Sequence, residues 1–257
     1  MSVDKLSPSG QGAEVVTPSP GARSPDFSYA FQPIVDTIAR EVFSYEALIR
    51  GPVGESAWSV LGGVPSTQRY LFDRDSRVAA IVLAAKLGVT CHLNLNFLPQ
   101  GLYLCADSVS AALEAAARSG LRLERIILEV TEGEVIDDQA NFSARLNEFR
   151  SQGLRVAIDD FGAGYAGLNL LADFQPDQIK IDMTLVRGIE RHGPRQAIVR
   201  AVIQACADLG VDVIAEGVET LAEYLWLSDQ GVRLFQGYLF ARPGFECLPP
   251  VHYPGNA

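Results

Sequence analysis

The sequence predicts an α/β fold, an eight-stranded (β/α)8-type barrel whose first strand is antiparallel to the second. Short apolar runs alternate with segments of helical periodicity from Ser28 to about Gly244, which indicates strands alternating with helices. Polar residues also recur where these predicted strands end, as at the mouth of such a barrel. With 257 residues, the chain is long enough for one large domain with a substantial core.

The predicted strands are short apolar or alternating runs. In chain order they are Tyr29–Ile34, Val42–Ile49, His92–Phe97, Arg125–Thr131, Arg155–Asp159, Gln178–Asp182, Val211–Glu216 and Leu234–Tyr238. The first two are joined only by the sequence V-D-T-I-A-R-E, which is too short for a helical crossover and suits a hairpin. We therefore expect the first strand to run antiparallel to its neighbour.

The predicted helices lie between most of these strands. They are Asp73–Leu87, Ser108–Ser119, Asn141–Gln152, Pro194–Leu209 and Thr220–Gln230, with shorter helices after Gly164 and after Asp182. Several predicted helices end in glycine, which is typical of a helix C-terminus because glycine adopts the left-handed conformation without strain. These glycines are Gly88, Gly120, Gly153, Gly210 and Gly231.

The N-terminal segment differs in composition from the rest of the chain. Residues 1–27 are rich in serine, proline and glycine and offer little apolar surface to bury. Such a composition is typical of a disordered tail or linker. The predicted domain then spans residues 28–257.

Charge and cysteine content limit the classes of function. A net charge of −10 argues against nonspecific binding to nucleic-acid polymers or anionic membranes, although bound metal ions can make an acidic pocket accept a phosphate. No apolar run approaches the roughly 20 residues that span a bilayer, and no secretory signal pattern is seen, so we expect a cytoplasmic protein without membrane insertion. The four cysteines show no spacing typical of a metal site, and we expect them to be buried as small hydrophobic residues. They are Cys91, Cys105, Cys206 and Cys247.

Polar side chains share the inward face of several predicted strands. Because alternate residues of a strand point to opposite faces, the apolar face meets the surrounding helices and the polar face points into the barrel. At the C-terminal strand ends this places a ring of Lys180, Gln236, Asn96 and five carboxylates, namely Glu46, Glu129, Asp159, Asp160 and Glu216.

Five carboxylates do not stay together as bare anions in a partly desolvated mouth. Carboxylate and amide oxygens without an inward histidine or cysteine favour Mg²⁺ or Mn²⁺ over zinc. Two metal ions bridged by a carboxylate would explain why Asp159 and Asp160 are adjacent, with both reaching the mouth if the chain bends at Phe161-Gly162. Structural alternatives stay open for single residues: a helix N-cap for an aspartate, an ion pair between Glu129 and Lys180, or a loop cap for Asn96.

A series of short motifs runs through the same strand ends. In order they are Gln32-Pro-Ile34, Glu46-Ala-Leu48 followed by Arg50, Asn96-Phe-Leu-Pro99, Glu129-Val-Thr-Glu132, Asp159-Asp-Phe-Gly-Ala-Gly-Tyr165, Lys180-Ile-Asp182, Glu216-Gly-Val-Glu219 and Gln236-Gly-Tyr238. Over about Phe27 to Gly244 the sequence resembles the EAL family of bacterial cyclic di-GMP phosphodiesterases. The family fold is a modified TIM (β/α)8 barrel with an antiparallel first strand, in agreement with the short hairpin.

The resemblance implies a role for each matched residue. The implied metal ligands are Glu46, Asn96, Glu129, Asp159, Asp160 and Glu216, with Asn94 as a competitor for the position of Asn96. The implied catalytic residues are Lys180, next to the attacking water, together with Glu216 and Glu46. The implied substrate contacts are Gln32, Leu48, Arg50, Asp73 and Gln236, with Arg50 on a phosphate. Glu132 matches a position that steadies the Asp-Asp-Phe-Gly loop and supports dimerisation.

The resemblance also implies an activity, the two-metal hydrolysis of one phosphodiester of cyclic di-GMP to linear pGpG. It implies two Mg²⁺ or Mn²⁺ ions per active site, calcium binding without turnover, and a homodimer, and it leaves a separate sensory or signalling partner open. A catalytically silent cyclic di-GMP receptor is the alternative, but such receptors typically lack acidic ligands that this chain retains. An unrelated Mg²⁺-dependent barrel enzyme would require the order of the motifs to be a coincidence.

Overall fold

The structure is a computed structural model that describes residues 25–105, 107–131, 139–164 and 167–255. Residues 1–24 of the N-terminal tail predicted over residues 1–27 lie outside the described residues. Phe27 already packs edge-on against the rings of Tyr29 and Phe72, at centroid distances of 6.1 and 5.1 Å. The aromatic core of the domain therefore begins at Phe27.

Eight strands form the closed barrel predicted from the sequence. They are β1 (Ser28–Asp36), β2 (Glu41–Arg50), β3 (His92–Phe97), β4 (Ile126–Thr131), β5 (Arg155–Phe161), β6 (Gln178–Ile181), β7 (Asp212–Ala215) and β8 (Leu234–Phe235). Strands β2 to β8 follow one another in parallel, and β1 closes the barrel by pairing with both β8 and β2. A short ninth strand, β9 (Gly244–Phe245), pairs antiparallel with β1. It was not predicted from the sequence.

The antiparallel first strand is confirmed. β1 runs antiparallel to β2 along its whole length and also to β8. The connecting turn is held by Asp36, whose Oδ1 accepts hydrogen bonds from the backbone N–H groups of Ile38 and Ala39, each at 2.9 Å. A turn of this length leaves no room for a crossover helix, as the sequence indicated.

Helices cover the barrel between its strands. They are α1 (Ala57–Leu61), α2 (Arg69–Lys86), α3 (Gly101–Leu104), α4 (Ser110–Ser119), α5 (Gln139–Ser151), α6 (Gly167–Asp173), α7 (Met183–Val186), α8 (Gly193–Leu209) and α9 (Leu221–Asp229). All five glycines predicted to end helices have a positive φ, between 71° and 104°. The short helices α1 and α3 were not predicted, because a single turn has no readable periodicity.

The hydrophobic core lies between the barrel and its helices. Outward-facing strand residues such as Leu95, Leu128 and Ile179 are buried in it, which leaves the polar alternate residues inside the barrel. The base of the barrel is closed by a small apolar cluster of Ile34, Ile214 and Leu234. The functional groups therefore occupy the mouth above this apolar floor.

The structure also gives the state of the four cysteines and the character of the helices. All four cysteines belong to the described part of the chain and are free, and Cys105 and Cys206 are buried as expected. Cys247 is exposed, contrary to expectation, because it lies in the C-terminal segment outside the barrel. Among the helices of the described residues, none combines the length and the apolar character that crossing a membrane requires.

Candidate active site

Lys180 is the centre of the barrel mouth. It lies on β6 with only 1% of its side chain exposed, and its Nζ contacts four carboxylates. The distances are 2.6 Å to Glu216 Oε1, 2.8 Å to Glu129 Oε1, 2.9 Å to Asp159 Oδ1 and 3.3 Å to Glu46 Oε2. Five members of the ring predicted from strand alternation, Lys180 and these four carboxylates, are therefore in contact in the structure.

Asp159 and Asp160 reach the mouth together because β5 is irregular. Its register with β6 shifts between Ile158 and Phe161, and Asp160 has a left-handed φ of 55°. Such a bulge turns a residue that would otherwise face the opposite side of the sheet. The bend was predicted at Phe161-Gly162, but it already begins at Asp160, because aspartate tolerates the left-handed region better than most residues.

The carboxylates form two groups with the spacing of metal sites. Glu46, Glu129 and Asp159 bring one oxygen each within 4.8 Å of one another, and so do Asp159, Asp160 and Glu216. Asp159 belongs to both groups. In addition, Glu129 Oε2 is buried and has no hydrogen-bond donor among the described residues. Hard oxygen donors in this arrangement fit Mg²⁺, Mn²⁺ or Ca²⁺.

Burial and mutual repulsion shift the ionisation of the mouth. Burial raises the pKa of Glu129 well above its usual range, against the opposing effect of Lys180. Burial raises the pKa of Glu216 to about 8, although Lys180 opposes the shift, and Asp159 and Glu46 add to it. Burial, followed by repulsion from Asp159 and Asp182, raises the pKa of Asp160 to about 6. Burial lowers the pKa of Lys180, but the four carboxylates outweigh it and raise that pKa well above its usual value. The mouth thus holds more negative charge than one ammonium group neutralises.

Gln236 and Gln32 extend the polar network to one side of the mouth. Gln236 Nε2 donates to Glu46 Oε2 at 2.6 Å and to Gln32 Oε1 at 3.3 Å, and Gln32 Nε2 donates to the carbonyl of Ala241 at 3.1 Å. Gly237 has to be glycine, because a Cβ there would overlap the backbone carbonyl of Val218. This close approach fixes Gln236 beside Glu46.

The two asparagines of β3 have different environments. Asn94 is completely buried, and its Nδ2 donates to Glu129 Oε1 at 2.8 Å. Asn96 is exposed at the mouth, where it is the register neighbour of Glu129 on β4. Strand alternation predicted that both side chains lie on the inward face, but it did not predict that their environments differ.

The remaining predicted residues are Leu48, Arg50, Asp73 and Glu132. Leu48 and Arg50 are half-buried at the end of β2, where Arg50 Nη1 donates to the carbonyl of Ile49 at 2.7 Å. Asp73 lies on α2 and forms an ion pair with the buried Arg77. None of these three lines the cavity at the mouth. Glu132 lies outside the described residues.

A cavity of about 280 Å³ opens above the carboxylates. Its lining includes Arg187 and Tyr238, which were not among the predicted site residues. Arg187 Nη2 contacts Glu219 Oε1 at 2.8 Å at the rim. Arg187 lies beyond the strand end, just after α7, so strand alternation carried no signal for it. Asp182, also in the lining, caps α7 through a 2.9 Å hydrogen bond from the backbone N–H of Thr184.

A closed barrel with an antiparallel first strand and clustered carboxylates at its mouth defines a candidate metal-dependent site. The family model of the EAL domain matches residues 20–243, and the chain belongs to this family. The Escherichia coli K12 blue light- and temperature-regulated antirepressor BluF is 37% identical over 227 residues, covering 88% of this chain and 56% of BluF. The probable cyclic di-GMP phosphodiesterase PdeN of the same organism is 32% identical over 90% of this chain and 46% of PdeN.

Solved structures agree with this membership. A standalone EAL protein from Vibrio cholerae O395, bound to c-di-GMP, superposes with a TM-score of 0.85 at 48% identity, covering 88% of this chain and 96% of that one. Klebsiella pneumoniae BlrP1, in a manganese complex with cyclic di-GMP, gives a TM-score of 0.82 at 44% identity, covering 89% of this chain and 59% of BlrP1. The chain spans about half the length of the curated relatives it matches.

Proposed function

We propose that the protein is a metal-dependent phosphodiesterase that hydrolyses one phosphodiester of cyclic di-GMP to linear pGpG and so lowers the level of this second messenger. The observation that carries the proposal is the pair of carboxylate groups that share Asp159 at the barrel mouth. Membership of the EAL family and a relative named as a probable cyclic di-GMP phosphodiesterase support the choice of substrate.

The proposed metal site uses the hard oxygen donors of the mouth. Two Mg²⁺ or Mn²⁺ ions would be held by Glu46, Asn96, Glu129, Asp159, Asp160 and Glu216, with Asp159 common to both groups. When bound, the ions supply a water of lowered pKa and neutralise phosphate oxygens during in-line attack. The manganese complex of the Klebsiella relative supports this choice of cation.

Lys180 is proposed to act on the attacking water. In the metal-free mouth the neighbouring carboxylates raise the pKa of Lys180, so its ammonium group donates hydrogen bonds and stabilises developing negative charge. It would act as a base only if bound metal ions lowered that pKa. Glu216 is the carboxylate closest to Lys180 Nζ and is proposed to hold a metal ion or the attacking water. Glu46 completes the catalytic set and is oriented by Gln236.

The proposed substrate contacts surround these groups. Gln32 and Gln236 line the cavity beside Glu46. Arg50 is proposed to bind a phosphate through its guanidinium group, with Leu48 beside it at the end of β2, and Asp73 is proposed to read a guanine edge. The Vibrio relative with bound c-di-GMP supports a nucleotide of this size for a barrel of this fold.

A silent cyclic di-GMP receptor is the second candidate, because the relative BluF is named as an antirepressor rather than as an enzyme. The complete carboxylate set around Lys180 favours the enzyme. We further propose that residues 1–27 are a tail or linker to the phosphodiesterase domain over residues 28–257, and that a separate sensory or signalling partner regulates this domain. We propose a homodimer, with Glu132 steadying the Asp-Asp-Phe-Gly loop and supporting dimerisation. Light scattering on the purified protein gives the mass that tests the dimer.

The test is a product assay. Metal-free protein is incubated with cyclic di-GMP and with Mg²⁺, Mn²⁺ or Ca²⁺, and the nucleotides are separated by chromatography. We expect pGpG with Mg²⁺ or Mn²⁺ and little with Ca²⁺, whose loose coordination positions water poorly. Binding of cyclic di-GMP without pGpG under every metal condition would establish the receptor instead.

A further inference from the structure

Asn94 is a buried amide in direct contact with a proposed metal ligand. It lies on the inward face of β3 with no exposed surface, and its Nδ2 donates to Glu129 Oε1 at 2.8 Å. We propose that Asn94 is a positioning residue of the metal centre, which holds Glu129 so that its Oε2 faces the cations. This inference rests on the proposed metal-dependent function and assigns Asn94 a place behind the ligands rather than among them.

The two oxygens of Glu129 have unequal surroundings. Oε1 receives Asn94 Nδ2 and Lys180 Nζ, each at 2.8 Å. Oε2 is buried and, within the described part of the chain, meets no hydrogen-bond donor. A buried carboxylate oxygen without a donor is costly unless a proton or a cation meets it. With Oε1 held by two donors, Oε2 is the oxygen left for a metal ion.

The backbone holds Asn94 firmly in this place. Its chain neighbours Leu93 and Leu95 point outward into the core and are almost completely buried. In the register of β3 with β4, Glu129 is paired with Asn96 and not with Asn94. Strands of a barrel are tilted relative to its axis, so two side chains at the same height along that axis need not be register partners. Asn94 thus reaches Glu129 from below, while Asn96 lies at the exposed end of the strand.

The orientation of the amide follows from its acceptor. When a cation is bound, Glu129 is ionised and only accepts hydrogen bonds, so rotating the Asn94 amide would bring its Oδ1 against a second acceptor. Asn94 therefore acts through its N–H group. A side chain of similar volume without that group leaves Glu129 Oε1 to Lys180 alone and frees the carboxylate to rotate. Groups that orient metal ligands in this way typically change metal affinity by about 10- to 100-fold when removed.

The test compares two buried amides of the barrel interior. Asn94→Leu removes the proposed donor at nearly constant volume, and Asn94→Ala removes it without adding a branched side chain. Gln178→Met is the matched control, because Gln178 is also fully buried, lies two residues before Lys180 on β6, and has no hydrogen-bond partner among the residues described. Mn²⁺ affinity is measured by calorimetry without nucleotide, together with kcat and KM for cyclic di-GMP.

We expect both Asn94 variants to bind Mn²⁺ about 10-fold more weakly or worse, and Gln178→Met to bind as wild type. Excess Mn²⁺ should restore most of kcat in the Asn94 variants with little change in KM. Wild-type Mn²⁺ affinity in folded Asn94 variants, or an equal loss in Gln178→Met, would overturn the inference. If wild type forms no pGpG while the affinity difference persists, the proposed function fails and the positioning role stands.

Discussion

Replacing Lys180 by methionine removes the ammonium group that four carboxylates share, while keeping an unbranched side chain in its place. Lys180 Nζ is 2.6 to 3.3 Å from these carboxylates and is almost completely buried. Removing one partner of a buried ion pair typically costs about 3–5 kcal/mol, because the remaining charge loses its compensation. For a domain of this size, that corresponds to a fall of about 6–20 °C in the Tm of the metal-free protein.

Metal ions should reverse the loss of stability but not the loss of activity. Mn²⁺ compensates the same carboxylates, so it should raise the Tm of Lys180→Met more than that of wild type. Turnover should stay about a hundredfold or more below wild type at saturating Mn²⁺, with a smaller change in KM, because a preorganised catalytic group is missing.

Calorimetry with and without EDTA, together with steady-state kinetics, measures both effects. Lys86→Met is the matched control, since Lys86 is exposed at the end of α2 and should behave as wild type. An unchanged Tm for metal-free Lys180→Met would refute its role in neutralising the mouth. An altered KM with a wild-type kcat would make Lys180 a substrate anchor rather than a catalytic residue.

The remaining predictions concern the same mouth. Glu46→Ala should abolish hydrolysis with an unchanged circular dichroism spectrum, and normal turnover would remove Glu46 from the site. Arg50→Ala should raise KM for cyclic di-GMP more than it lowers kcat, and steady-state kinetics would detect the reverse. Because the pKa of Glu216 is raised to about 8, the metal-free fold should lose stability as pH rises from about 4.5 through 8, and Glu216→Gln should flatten this slope in thermal melts. Mn²⁺ affinity should rise over pH 6 to 8, since binding displaces protons from Asp160 and Glu216, and a pH-independent affinity in calorimetry would contradict this.

Strand alternation was sufficient to predict the side of the barrel on which the charged groups lie. Lys180 and Glu129 each alternate with buried apolar residues, and a barrel covered by helices leaves only its interior for polar side chains. The short connection between the first two strands similarly predicted the antiparallel hairpin. These features depend only on period and length, which a sequence displays directly.

The features that sequence reasoning missed depend on backbone geometry. Asp159 and Asp160 were predicted to reach the mouth together, but the left-handed φ of Asp160 and the register shift beside it were missed, because no periodicity reports such a bulge. Asn94 and Asn96 share one face of β3, so alternation alone did not predict which of them contacts Glu129. Strand tilt decides that contact, and tilt belongs to the closed barrel rather than to a single strand.

We propose that two cations, held by carboxylate groups that share Asp159, support hydrolysis of cyclic di-GMP. The most direct measurement titrates metal-free protein with Mn²⁺ and records bound Mn²⁺ per chain and pGpG formation in the same samples. We expect turnover to appear only as the second Mn²⁺ binds, and Asp159→Asn to weaken both binding steps because Asp159 belongs to both groups. Full turnover with one bound Mn²⁺, or without any, would contradict it.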